Sequence, residues 1–277
     1  MYELYRLSAF PKTRDGGNKA GVVLNGDYLS DIEMQEIAKE VGYSETAFVL
    51  KSDKADFKVR FFTPTDEVDL CGHATIATFN LLRDQNKIKP GIYTQETKAG
   101  VLKLYVQSKM VYMQQNRPEF FETLSVQDIK NCFDNEGFVH PEFPIKVVST
   151  GIKEIFIPII SIDALNSLKP NMEEITKVSK KYGCIGIHVF ALGGNECDAY
   201  GRNFAPVVGI DEESATGTSN GALSCYLYKL VDESTKQHVL RQGYSMGLPS
   251  EIFSKIMSKT KKIREIWIGG RALLLEN

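Results

Sequence analysis

The chain has 277 residues, with 33 Lys and Arg against 35 Asp and Glu, a formal net charge of -2, 43% hydrophobic residues and 25% charged residues. That is the composition of an ordinary soluble globular protein, and it lacks the basic field that nucleic acid or an anionic membrane surface asks of a partner. Charge at Glu3 and Arg6, no apolar run near the roughly 18 residues of a membrane span, and five scattered cysteines (71, 132, 184, 197, 225) without a Cys-x-x-Cys pair predict a cytoplasmic protein with reduced thiols and no leader.

In chain order, Ser30 caps an amphipathic helix predicted over 31–41. A strand over 47–50, a polar turn over 51–56 and a second strand over 57–62 read as a hairpin. Past Pro64, an acidic loop leads into a helix that is apolar nearly all round from His73 until Arg83. A helix hydrophobic on every face belongs in an interior. β-type segments follow at 91–106 and 110–115. The series then recurs: a helix over 171–182, strands over 187–192 and 199–204, an acidic loop after Pro206 and a second all-apolar helix from Asn220. Further β-type segments are predicted at 239–252 and 263–275, and the run Lys259-Thr260-Lys261-Lys262 reads as a solvated face.

The recurrence keeps a steady offset. Gly42 falls on Gly183, Arg60 to Pro64 on Arg202 to Pro206, and residues 69–82 on 214–230, at offsets of 141–145. An ordered series of matches predicts duplication: an α/β (α+β) fold of two domains, 1–122 and 123–277, with the last strand free to return to the first. Each is expected to be a mostly antiparallel sheet wrapped around one central buried helix. A cleft between the domains is the expected home of the site, because ligand sites favour domain interfaces.

Both buried helices begin with small residues, Cys71-Gly72-His73 and Ala215-Thr216-Gly217-Thr218-Ser219. Helix N-termini bind anions and glycine admits a ligand to the backbone, so these ends suit a small carboxylate; tight helix packing is the alternative use of the same glycines. Glu45 precedes an apolar strand, and its counterpart is Gly186. A carboxylate present in only one of two matched places is a candidate proton carrier, set against a structural glutamate. His73 is either a packing residue or a donor to substrate. Asp211, Glu212 and Glu213 precede the second helix, and any of them could instead complement its dipole. Cys71 and His73 offer two metal donors, but nothing nearby in sequence completes a set, so no metal is expected. The absence of Walker, Gly-x-Ser-x-Gly and His-Glu-x-x-His patterns, with an incomplete dinucleotide fingerprint, predicts no nucleotide cofactor.

These residues carry a resemblance. Gly17-Asn18-Lys19-Ala20-Gly21-Val22, Ser44-Glu45-Thr46-Ala47-Phe48, Phe62-Thr63-Pro64 through Asp69-Leu70-Cys71-Gly72-His73-Ala74-Thr75, Ala215-Thr216-Gly217-Thr218 and Gln242-Gly243 through Pro249-Ser250 together resemble the PhzF-like family over essentially the whole chain. The resemblance implies a diaminopimelate epimerase-like fold, a homodimer, and cofactor-free isomerisation by proton transfer on a small carboxylate substrate. It implies catalytic roles for Glu45, His73 and Glu213; with the helix starts read as above, substrate binding is expected at Asn18, Gly72, Gly217, Thr218 and Ser219. Glu213-Ser214 stands where the family usually has Asp-Pro, Lys19 where Pro is common and Leu248 where Arg is common, which leaves the substrate open. Related epimerases carry a catalytic thiol at Cys71, but the partner position is Thr216, which cannot act as a thiolate base. A binding protein without turnover and an amino-acid epimerase remain the alternatives.

Overall fold

The computed structural model describes residues 2–134 and 136–275. The chain divides into two compact units, residues 1–114 with 269–277, and residues 115–268.

In the first unit, β1 (Leu4–Ala9) and β2 (Asn18–Val23) pair antiparallel. Helix α1 (Asp31–Val41) follows, started by a capping box in which Ser30 and Glu33 satisfy one another's backbone N–H groups. Met34, Ile37, Ala38 and Val41 are its buried stripe, at helical spacing. Gly42, left-handed at φ 69°, ends the helix and turns the chain into β3 (Glu45–Leu50), which lies parallel to β2. Strands β4 (Phe57–Phe62) and β5 (Glu67–Val68) continue antiparallel. Helix α2 (Gly72–Asp84) then enters the interior, with every residue from His73 to Leu82 buried. Its side chains pack on β1, β2, β3 and the closing strands. β6 (Gly91–Thr97) returns parallel to β4, and β7 (Gly100–Val106) and β8 (Val111–Gln114) complete an antiparallel meander.

The second unit opens with β9 (Glu119–Leu124), α3 (Val126–Ile129), β10 (Ile145–Ser149), β11 (Lys153–Ile159), α4 (Ile162–Ser167) and α5 (Met172–Lys181). It continues with β12 (Gly186–Leu192), β13 (Ala199–Ala205), β14 (Ile210–Glu213), α6 (Gly217–Leu230), β15 (Gln237–Gln242), β16 (Ser250–Lys259) and β17 (Lys262–Gly270). Strand β18 (Ala272–Leu274) brings the chain back to the first unit, antiparallel to β1.

The pairings repeat sense for sense. β10–β11, β11–β12, β12–β13, β13–β14 and β13–β15 run antiparallel, parallel, antiparallel, antiparallel and parallel. β1–β2, β2–β3, β3–β4, β4–β5 and β4–β6 do the same. Helix α6 is buried almost throughout, as α2 is. The expected duplication is therefore present, one pairing pattern occurring twice, each with a buried helix against it, although among the described residues the strands are linked in a single 18-stranded sheet and not in two separate ones. One detail differs from the sequence reading. The acidic loops after Pro64 and Pro206 each contain a short strand, β5 and β14. Pro158 lies inside β11, which is tolerated because its carbonyl accepts from His140 N, so the missing N–H faces away from β12. Among the described residues no helix is long and apolar enough to cross a membrane.

Candidate active site

Each unit carries a polar centre at the start of its buried helix. In the first, Gly17 at φ 90° makes the turn that delivers Asn18 to the head of β2; a Cβ there would sit 2.2 Å from Ser8 Oγ, so only glycine fits. Glu45 heads β3, level with Ala20 on β2. Cys71 is the N-cap of α2 and His73 lies in its first turn. The result is a cluster around one imidazole. His73 Nε2 lies 3.3 Å from Glu45 Oε2 and 3.4 Å from Ser44 Oγ. Its Nδ1 lies 3.3 Å from Asn18 Nδ2 and 3.4 Å from Cys71 Sγ. With Asn18 donating to Nδ1, the ring proton is assigned to Nε2, where it can donate to Ser44 Oγ while Glu45 Oε2 stands beside it as an electrostatic partner.

His73 is 4% exposed and Glu45 16%. Burial lowers the His73 pKa, against the opposing pull of the Glu45 charge and a hydrogen bond with the Lys19 backbone. The ring is thus held neutral, the form that can donate from one nitrogen while accepting at the other. Gly72 is not demanded by packing, since a Cβ there would meet only Met113 Cε at 3.6 Å. Gly221 in α6 is the contrary case, with Ile268, Thr150 and Gln115 all within 3.4 Å of such an atom.

In the second unit, Gln242 organises the start of α6. Its Oε1 accepts from Thr216 N at 3.2 Å and from Asn220 Nδ2 at 2.6 Å. Its Nε2 donates to the Glu213 carbonyl at 2.6 Å and to Thr216 Oγ1 at 3.1 Å. Thr216 Oγ1 in turn donates to the Glu213 carboxylate. Gly217 begins the helix and the Thr218 carbonyl accepts from Thr150 Oγ1. Ser219 points into the interior, where it accepts from Asn203 Nδ2 at 3.2 Å, beside buried Glu154. Asn18, Glu45, Gly72 and His73 are thus gathered in one centre, and Glu213, Gly217 and Thr218 in the other, with the Ser219 hydroxyl turned into the core. Sequence reasoning assigned no role to Ser44, Gln242 or Glu154. Gln242 and Ser44 had a signal, since Gln242-Gly243 and Ser44-Glu45 lie in shared motifs; Glu154 had none.

A family model described as phenazine biosynthesis-like protein matches residues 7–277. An uncharacterized isomerase of Clostridium acetobutylicum is 35% identical over 99% of this chain and 96% of its own length. A trans-2,3-dihydro-3-hydroxyanthranilate isomerase of Pseudomonas fluorescens is 26% identical over 99% of this chain and 97% of its own. The crystal structure of a PhzF-family phenazine biosynthesis protein from Bacillus anthracis superposes with a TM-score of 0.91 at 30% identity, covering 99% of this chain and 96% of that one. A hydroxyproline epimerase from Agrobacterium vitis, at 12% identity and a TM-score of 0.65, shares the fold over 99% of this chain and 89% of its own.

Proposed function

The chain belongs to the PhzF-like family of isomerases, and from that premise we propose that it moves a proton between carbons of a small carboxylate-bearing substrate without a cofactor. The observation that carries this reading is the 3.3 Å contact between Glu45 Oε2 and the buried, neutral His73. Glu45 takes a proton from a carbon next to an activating group, the electron pair moves into the adjoining unsaturated system, and the same carboxyl returns the proton to a second carbon. His73 stands beside the carboxylate, and Asn18 and Ser44 hold the ring. The N–H groups at the start of α2, open to a ligand beside Gly72, suit the substrate's carboxylate and the negative charge that develops. Glu213 is the candidate second acid. Relatives named for trans-2,3-dihydro-3-hydroxyanthranilate make that compound the first substrate to test.

The experiment is incubation in heavy water with that compound and a panel of small unsaturated, hydroxy and amino acids, followed by mass spectrometry and NMR. Deuterium should enter at carbon, and Glu45→Gln should slow entry by about 10²–10⁴-fold. No incorporation above the Glu45→Gln control across the panel overturns the proposal.

A further inference from the structure

The Cys71–His73 pair lacked a third donor in the sequence; the fold supplies it. Glu45, 28 residues before His73, is brought to the pair by β3, and one donor atom from each of Glu45, Cys71 and His73 lies within 4.8 Å of the others. His73 Nε2 is the common vertex, 3.3 Å from Glu45 Oε2 and 3.9 Å from Cys71 Sγ. Around one tetrahedral zinc ion those edges would be about 3.4 Å and about 3.6 Å. The first already matches, and the second needs the thiol to rotate away from Nδ1, which it now approaches to 3.4 Å, and toward Nε2. Glu45 Oε2 is buried and receives no well-aligned hydrogen bond, so this oxygen is short of a positive partner.

We infer that Glu45, Cys71 and His73 form a binding site for one divalent cation of the zinc class. A thiolate, an imidazole and a carboxylate are the donors that borderline-soft ions select over magnesium or calcium. Three protein ligands leave a fourth position open to water or a substrate oxygen. Binding releases the Cys71 proton to solvent and engages the Glu45 oxygen and His73 nitrogen assigned to proton transfer, so the bound ion shuts off isomerisation.

The test uses chelator-treated full-length protein and cobalt(II), which reports its ligands by absorption. Wild type should show a thiolate-to-cobalt charge-transfer band in the near ultraviolet, saturating at one ion per chain and erased by zinc. Cys71→Ser should lose the band. Glu45→Gln should keep it with affinity weaker by at least about tenfold, circular dichroism confirming that both variants fold. No band in wild type at saturating cobalt, or an unchanged affinity in Glu45→Gln, overturns the inference. The readout needs no substrate, so its failure leaves the proton-transfer proposal standing, and failure of isotope exchange leaves the cation site standing.

Discussion

Arg202 grips Glu212 with both arms of its guanidinium, Nε to Oε1 at 2.8 Å and Nη2 to Oε2 at 2.9 Å. Arg60 holds Glu67 in the same fork, at 2.8 Å on each side. Each guanidinium also lies 5.0 Å over the phenylalanine two residues on, Phe204 and Phe62. Register explains the match: Phe61 faces Val68 as Asn203 faces Glu213, so Glu212 occupies the place of Glu67. Of the acidic residues before α6, Glu212 is therefore a structural tie, and Glu213 is the one that reaches Thr216 at the helix start. Arg202 also donates to the Leu165 and Leu168 carbonyls. Removing one partner of a mostly buried pair is costly, so Arg202→Met should lose about 3–5 kcal/mol in urea unfolding. Glu213→Gln should stay near wild-type stability while slowing isotope exchange. A stability loss in Glu213→Gln as large as in Arg202→Met would reverse the two assignments.

Gln242 is fully buried and spends both halves of its amide on the α6 start. Gln242→Leu should cost about 2–3 kcal/mol, the penalty for stranding buried polar groups. The loss should be local. Amide hydrogen exchange should quicken over residues 216–220 while the C-terminal half of α6 stays protected. Uniform protection along the helix would show that Gln242 does not organise this end.

The parts of the fold legible in the sequence were those that local chemistry decides. Apolar residues on every face of α2 and α6 marked them as interior, and Gly42 and Gly183 marked matched helix ends, both left-handed at φ 69° and 64°. What escaped is what pairing decides. Glu45 and His73 are far apart in sequence and meet only because β3 lies alongside β2 and against α2. In the acidic run before α6 only the family resemblance singled out Glu213; residue chemistry did not separate it from Glu212 until the register of β13 and β14 was known. Residues 125–170 held short helices and a strand containing Pro158, where neither helical nor alternating periodicity has room to declare itself.

Stability should depend on pH through buried histidines. His73, His188 and His238 are each nearly fully buried, and burial lowers each pKa, that of His188 to about 3. Neutral in the fold, each takes a proton below 6.5 once unfolded, so their contribution is complete above that pH and is lost as pH falls. Glu154 acts in the opposite sense, since burial raises its pKa and the fold keeps a proton that the unfolded chain releases above 4.5. His188, with its folded pKa far below this window, gains close to one proton on unfolding, about 1 kcal/mol per pH unit between about pH 6 and pH 5, while His73 and His238 act in the same direction and Glu154 against them. Urea unfolding across that window should show the fall, and Glu154→Gln should steepen it. A flat profile would mean that these histidines are protonated in the fold.

The two positions matched by the duplication, Glu45 and Gly186, have opposite steric freedom. Both stand at the head of a strand parallel to its predecessor, level with Ala20 in one unit and Glu154 in the other. A Cβ on Gly186 would lie 1.9 Å from the Phe204 carbonyl oxygen and 2.8 Å from Ala205 Cα. Backbone, not a movable side chain, fills the space, so the second unit has no room for a carboxylate there. Its buried acid, Glu154, stands one strand over, bound to Asn203. Gly186→Ala should therefore destabilise by about 2–3 kcal/mol or more, through displacement of β13. Glu45→Ala, which removes a partly exposed side chain and forces nothing aside, should cost under about 1 kcal/mol while abolishing isotope exchange. Equal losses for the two substitutions in urea unfolding would contradict the steric account of the asymmetry. A stable Gly186→Ala protein would show that the second unit could have carried the acid at the same place.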